Sequence, residues 1–230
     1  MINLEIDEMP SRIASLPVDP VRKIPVPWFV AWIDGKPEFR VADGEKRSLA
    51  VREKRCWVCG EKLGRIMTFV IGPMCGINRT SMEPPSHSDC ALYSVRHCPF
   101  LSRPQMDRRE SGMDALVEQG ASCDGEMIRR NPGVSALWNT RDYKMFNDGK
   151  GGYLLRVGDP ESVWWFCEGR QATCEEVEAS IVSGIPLLLN MARKQIEEDA
   201  QVRLQHVLEL IKGQYRDLKP WLPKPLEAAK

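Results

Sequence analysis

The sequence predicts an α+β fold, and three observations carry that reading. An aromatic and β-branched run breaks at an Asp-Gly pair, as a hairpin does. In the second half, three short apolar runs bounded by turn residues read as a small antiparallel sheet. Beyond them, one stretch opens on a capping box and the next repeats its apolar residues at the helical period. A hydrophobic fraction of 43% and seven tryptophans in 230 residues supply enough apolar surface for a packed core.

Residues 1–25 hold Pro10, Pro17, Pro20 and Pro25, and read as an irregular arm. Trp28 to Ile33, WFVAWI, is the first strand; Asp34-Gly35 is the turn, because glycine accepts positive φ; Phe39 to Val41 returns. A short helical stretch, SLAVREKR, leads to Cys56. Arg65 to Ile71 reads as a strand broken by Gly72-Pro73, and HSDCALYSVRHC as a helix stopped by Pro99. Residues 26–105 thus form a hairpin and cysteine-rich unit, and 106–130 a polar linker or loop.

A second unit spans 131–218. Its strands are VSALWNT, GYLLRVGD and ESVWWFCEG, with Trp164, Trp165 and Phe166 alternating across the last. Thr173 and Glu176 form a capping box, since each can satisfy the other's backbone donor. The helix they open is expected to stop at Gly184, with Pro186 starting the next. That second helix carries Ile196, Ala200, Leu204, Val207, Leu208 and Ile211 on one stripe, read as a packing face. Residues 219–230 form a proline-punctuated, extended tail.

Charge excludes some functions. Thirty-two basic residues balance thirty-two acidic ones, so no global field draws the chain to nucleic acid or anionic lipid. Residues 51–110 carry ten basic and six acidic residues, a milder excess than a dedicated DNA-binding domain shows. No stretch approaches the roughly 20 apolar residues of a membrane span. The first residues, MINLEIDEMPSRIASLP, lack the apolar run of a secretory signal, so the expected setting is cytoplasmic with reduced thiols.

Residues 56–98 hold five of the eight cysteines and two of the three histidines. In CWVCG, two thiols two residues apart converge on one ion while Gly60 relieves the turn. His87 and Cys90 share one face of a helical turn. The predicted metal ligands are Cys56, Cys59, His87 and Cys90, around a structural Zn2+. Cys75 in place of His87 gives an all-cysteine alternative, and Cys98 is a further alternate. An iron–sulfur cluster is the minor alternative cofactor. Cys123, Cys167 and Cys174 read as core or surface thiols. Gly149 to Gly152, GKGG, lacks the spacing of a phosphate-binding loop and reads as a hairpin loop.

With CWVCG as knuckle, RIMTFVI as hairpin and HSDC at a helix, residues 56–98 resemble a treble-clef zinc finger. The wider chain resembles an uncharacterised group of bacterial and phage proteins. WFVAWIDGKPEFRVAD, CWVCGEKLG, FVIGPMC, EPPSHSDCA, CPFL, RNPGV and EGRQAT carry that likeness, which implies a bacterial or phage setting and no particular activity. The function expected from these readings is that of a zinc-stabilised binding or adaptor protein, its partner a protein or nucleic acid. Arg96, Arg103, Arg108 and Arg109 are the basic residues placed to touch phosphate. The alternative, an HNH-like nuclease, needs a histidine base, and residues 61–83 contain no histidine.

Overall fold

A computed structural model describes residues 8–103, 131–148, 151–194 and 200–224. A short helix α1 (Ser11–Ala14) precedes the hairpin of β1 (Val30–Ile33) and β2 (Lys36–Ala42). Asp34 and Gly35 sit at φ 49° and 73°, the left-handed pair that a tight hairpin turn requires. Asp43 then caps α2 (Gly44–Glu53), accepting hydrogen bonds from the backbone N–H groups of Glu45 and Lys46.

The strand β3 (Met67–Ile71) is followed by α3 (Pro73–Asn78), in which Pro73 takes the first helical position, where its missing N–H costs nothing. Next come β4 (Thr80–Ser81), α4 (Ser88–His97) and α5 (Pro99–Ser102). The expected stop at Pro99 is therefore also the start of another short helix. The second half supplies β5 (Ser135–Thr140), β6 (Tyr143–Asn147), β7 (Tyr153–Val157), β8 (Pro160–Cys167) and β9 (Arg170–Gln171). Helices α6 (Cys174–Lys194) and α7 (Ala200–Leu218) follow.

Two antiparallel sheets form besides the hairpin: a central one ordered β3-β5-β8-β9 and a smaller one ordered β4-β7-β6. The first half thus contributes the edge strands β3 and β4 to sheets built mainly from the second. Side chains alternate across the central sheet. Phe69, Ile71, Ala136, Trp138 and Trp165 face one side, where Ile77 of α3, Val177 and Ile181 of α6, Ile211 and Leu218 of α7, and Leu155 and Val157 cover them. Leu137 and Phe166 face the other, under Ala91, Leu92 and Val95 of α4. Every residue of β5 is buried, as expected for a strand covered on both faces. Of the GKGG stretch, Gly151 and Gly152 lie in the β6–β7 connection, where Gly151 has φ 93°, and Gly149 and Lys150 lie outside the described residues.

Several expectations give way to tertiary packing. The helix predicted to stop at Gly184 runs unbroken through Pro186. Pro186 removes only the bond to the carbonyl of Val182, a residue 69% exposed, so water can satisfy that group. Gly184 is a close approach: a Cβ there would lie 2.9 Å from the Met74 side chain. The tail is not extended at its start: Lys219–Trp221 form a 3₁₀ turn, and the Trp221 carbonyl accepts the Trp165 indole N–H at 2.9 Å. Ile196, Cys123 and the whole of the predicted linker lie outside the described residues.

The capping box forms as the sequence requires. The Thr173 N–H donates to Glu176 Oε2 at 2.8 Å, and the Glu176 N–H donates to Thr173 Oγ1 at 3.3 Å. Bonds from Arg170, then from Thr173, pull the Glu176 carboxyl down to about 2. A lowered folded-state value stabilises above the ordinary carboxyl range and is lost as pH falls through about 2. Thr173→Ala is expected to cost about 1 kcal/mol in urea unfolding near neutral pH. The cost should persist in acid, because the lost bond joins Thr173 Oγ1 to a backbone N–H, while the Arg170 and Thr173 N–H bonds to the Glu176 carboxylate remain in both proteins.

Candidate metal centre

The ligand-bearing segments are local structures first. Around the knuckle, the Cys56 N–H donates to the Glu61 carbonyl at 2.7 Å, and the Gly60 N–H to the Cys56 carbonyl at 2.8 Å. Gly60 has φ 78°, and a Cβ there would lie 2.7 Å from the Trp28 ring, so the turn and the packing both demand glycine. The second pair rides on α4, with His87 at its N-cap and Cys90 in its first turn. Backbone bonds exchanged between Thr68 and Ser86, at 2.9 and 2.8 Å, tie the approach to α4 onto β3. Thr68 Oγ1 donates to Asn139 Oδ1 at 2.6 Å and lies 2.8 Å from Ser88 Oγ. Asn139 Nδ2 in turn donates to Ser162 Oγ at 2.9 Å. A buried polar chain across three strands therefore sets where α4 begins.

These constraints bring Cys56, Cys59, His87 and Cys90 together, their ligand atoms all within 4.8 Å of one another: a group positioned to bind a metal ion. Two backbone N–H groups aim at Cys56 Sγ, from Cys59 at 3.5 Å and His87 at 3.4 Å. His87 Nδ1 faces the thiols, 3.4 Å from Cys59 Sγ. Its Nε2 lies 3.0 Å from the Lys62 carbonyl, which accepts the Nε2 proton and leaves Nδ1 bare for a metal.

The group is electrostatically frustrated on its own. Burial opposes ionisation of Cys56, but hydrogen bonds from Cys59, Cys90 and His87 outweigh it and hold that thiol well below its ordinary range. Cys90 is driven far up, first by its bond to Cys56. His87 is raised to about 10 by Cys56 and Cys59. Negative sulfurs this close repel one another, and a cation among them relieves the repulsion. Three sulfurs and one imidazole suit a divalent ion with tetrahedral preference.

The alternates are placed elsewhere. Cys75 sits on α3 against the main core, where burial raises its thiol to about 11. Cys98 ends α4. Cys167 is buried and Cys174 partly so, both outside the group. Of the basic residues, Arg96 is half-buried and Arg103 exposed, while Arg108 and Arg109 lie outside the described residues. His97 stacks against Tyr93, centroids 4.3 Å apart. Among the described residues, the four-ligand group is the single cluster of its kind.

Knuckle, strand and helix follow one another in the chain, but the expected hairpin is interrupted. Helix α3 is inserted after β3, the return pairing is one bridge between Thr68 and Ser86, and β3 pairs mainly with β5. Composition alone also hid the role of the N-terminal segment. Ile13 is buried against Cys56, Cys59 and Cys90, with Leu16 beside it. Arg12 Nε lies 3.4 Å from Asp89 and its Nη1 3.9 Å from Glu61. Ile13 on α1 and Leu16 just past its end, an apolar pair three apart, were the available signal. No described helix is long and apolar enough to cross a membrane. Comparison with known proteins returns no matching family model, no matching curated protein and no matching solved structure.

Proposed function

We propose that this chain is a zinc-stabilised binding or adaptor protein. The closed donor set carries the reading: three thiols and one imidazole converge within 4.8 Å, leaving no coordination position for a substrate. Tetrahedral zinc with Zn–S near 2.3 Å needs sulfurs about 3.8 Å apart, which that spacing accommodates. A multi-iron cluster is wider than this group. The even charge balance favours a protein surface over a phosphate backbone as the target. A phage-related setting is part of the proposal and rests on the sequence strings alone.

Elemental analysis of protein purified without added metal tests the reading. About one zinc per chain is the expected result. Iron, or a second equivalent of metal, overturns it in favour of redox or hydrolytic chemistry. Titration with DNA and RNA at low salt then separates the targets: salt-dependent binding would move the assignment to nucleic acid.

A further inference from the structure

We propose that residues 10–26 form a clasp over the metal centre, in which Arg12 and Ile13 control how fast the ion leaves. The inference rests on the zinc reading above and extends it to a segment that supplies no ligand.

Ile13, only 3% exposed, belongs to the same buried cluster as Cys56, Val58, Cys59 and Cys90. Its side chain closes an apolar wall that the knuckle and α4 leave open, and Leu16 widens it. Arg12 touches both halves of the site. Glu61 directly follows the knuckle and Asp89 directly precedes Cys90, so one guanidinium bridges the two ligand-bearing segments. A dication held by three thiolates and a neutral imidazole carries one net negative charge. Asp89 and Glu61 add two more at its rim. Arg12 is placed to offset part of that charge.

The segment is also tethered, so it can close reproducibly. Its far end is bound by the Val26 N–H to the Pro17 carbonyl and the Trp28 N–H to the Val58 carbonyl, each at 2.7 Å. Asp19, 2% exposed, pins the intervening turn by accepting from the Val21 N–H at 2.8 Å. Because Arg12 and Ile13 are remote in sequence from the knuckle, they can lift away without breaking a ligand bond.

The test mixes metal-loaded full-length protein with excess 4-(2-pyridylazo)resorcinol and follows metal release by its colour. Arg12→Gln and Ile13→Ala should each retain one equivalent of metal and release it about tenfold faster than wild type. Arg141→Gln, which breaks the exposed pair with Glu161, should release at the wild-type rate. Wild-type release from both clasp variants, each holding one equivalent, overturns the clasp and leaves the zinc reading intact. A wild-type protein with no bound metal overturns both. If the variants fail to fold, limited trypsin digestion of the loaded wild type decides. Cleavage after Arg12 should be slower than after the exposed Arg65, and equal rates mean the clasp is not closed.

Discussion

Cys56→Ser and Cys90→Ser are expected to empty the metal centre and unfold the unit around it, with zinc falling from about one equivalent to none. The magnitude follows from comparing scales. Structural zinc sites contribute about 10–16 kcal/mol of apparent binding energy. A whole domain is stable by only about 5–15 kcal/mol. Removing a ligand of this kind therefore exceeds what the remaining contacts can absorb. Limited proteolysis should show rapid cleavage near residues 52–65. Cys75→Ser and Cys98→Ser, placed outside the group, should keep their metal. Loss of zinc from Cys75→Ser with retention in His87→Ala would instead establish the all-cysteine set.

Trp138→Ala is expected to cost about 3–5 kcal/mol, the range for truncating a large buried aromatic. Trp138 is fully buried at the middle of β5, pairing with Phe69 on one side and Val163 on the other. Its indole N–H donates to the Gly158 carbonyl at 3.0 Å, and the Arg79 guanidinium lies 4.4 Å from the ring centroid. Truncation leaves a cavity, a Gly158 carbonyl with Arg79 Nη1 as its remaining side-chain donor, and an Arg79 without its stacking surface. Trp32→Ala, at a position 43% exposed on the hairpin, should cost under about 1 kcal/mol. Urea midpoints of the two variants measure the contrast. Equal shifts would mean that β5 is not the centre of the core.

The parts of this fold that were legible in the sequence are those whose cause is local. Asp34-Gly35 announces its turn because two adjacent residues adopt positive φ. Thr173 and Glu176 announce a helix start because both partners lie within one turn. The spacing of Cys56 with Cys59, and of His87 with Cys90, is likewise local, and the structure brings those two pairs together. What remained hidden depends on distant partners. The strand β6, YKMFN, has one half-buried residue near each end and no clean alternation, so only its pairing with β7 defines it. The choice between His87 and Cys75 cannot be read from spacing, because it turns on α3 facing the main core. Pro186 misled because the packing of Ile181, Ile185 and Leu189 outweighs the roughly 3 kcal/mol that a proline costs inside a helix.

The pairing of β3 with β5 also fixes an order of events during synthesis. Met67 pairs with Thr140 and Ile71 with Ala136, so MTFVI leaves the ribosome long before its partner exists. All the proposed ligands, through Cys90, precede β5 in the chain. With the proposed ion bound, a nascent chain would already hold α4 against β3 through Thr68 and Ser86. One made without that ion would present an apolar, β-prone segment with nothing beside it, the kind of edge that recruits other chains. Metal supply during translation would then govern how much protein is recovered from the cell, before any question of what the finished molecule binds.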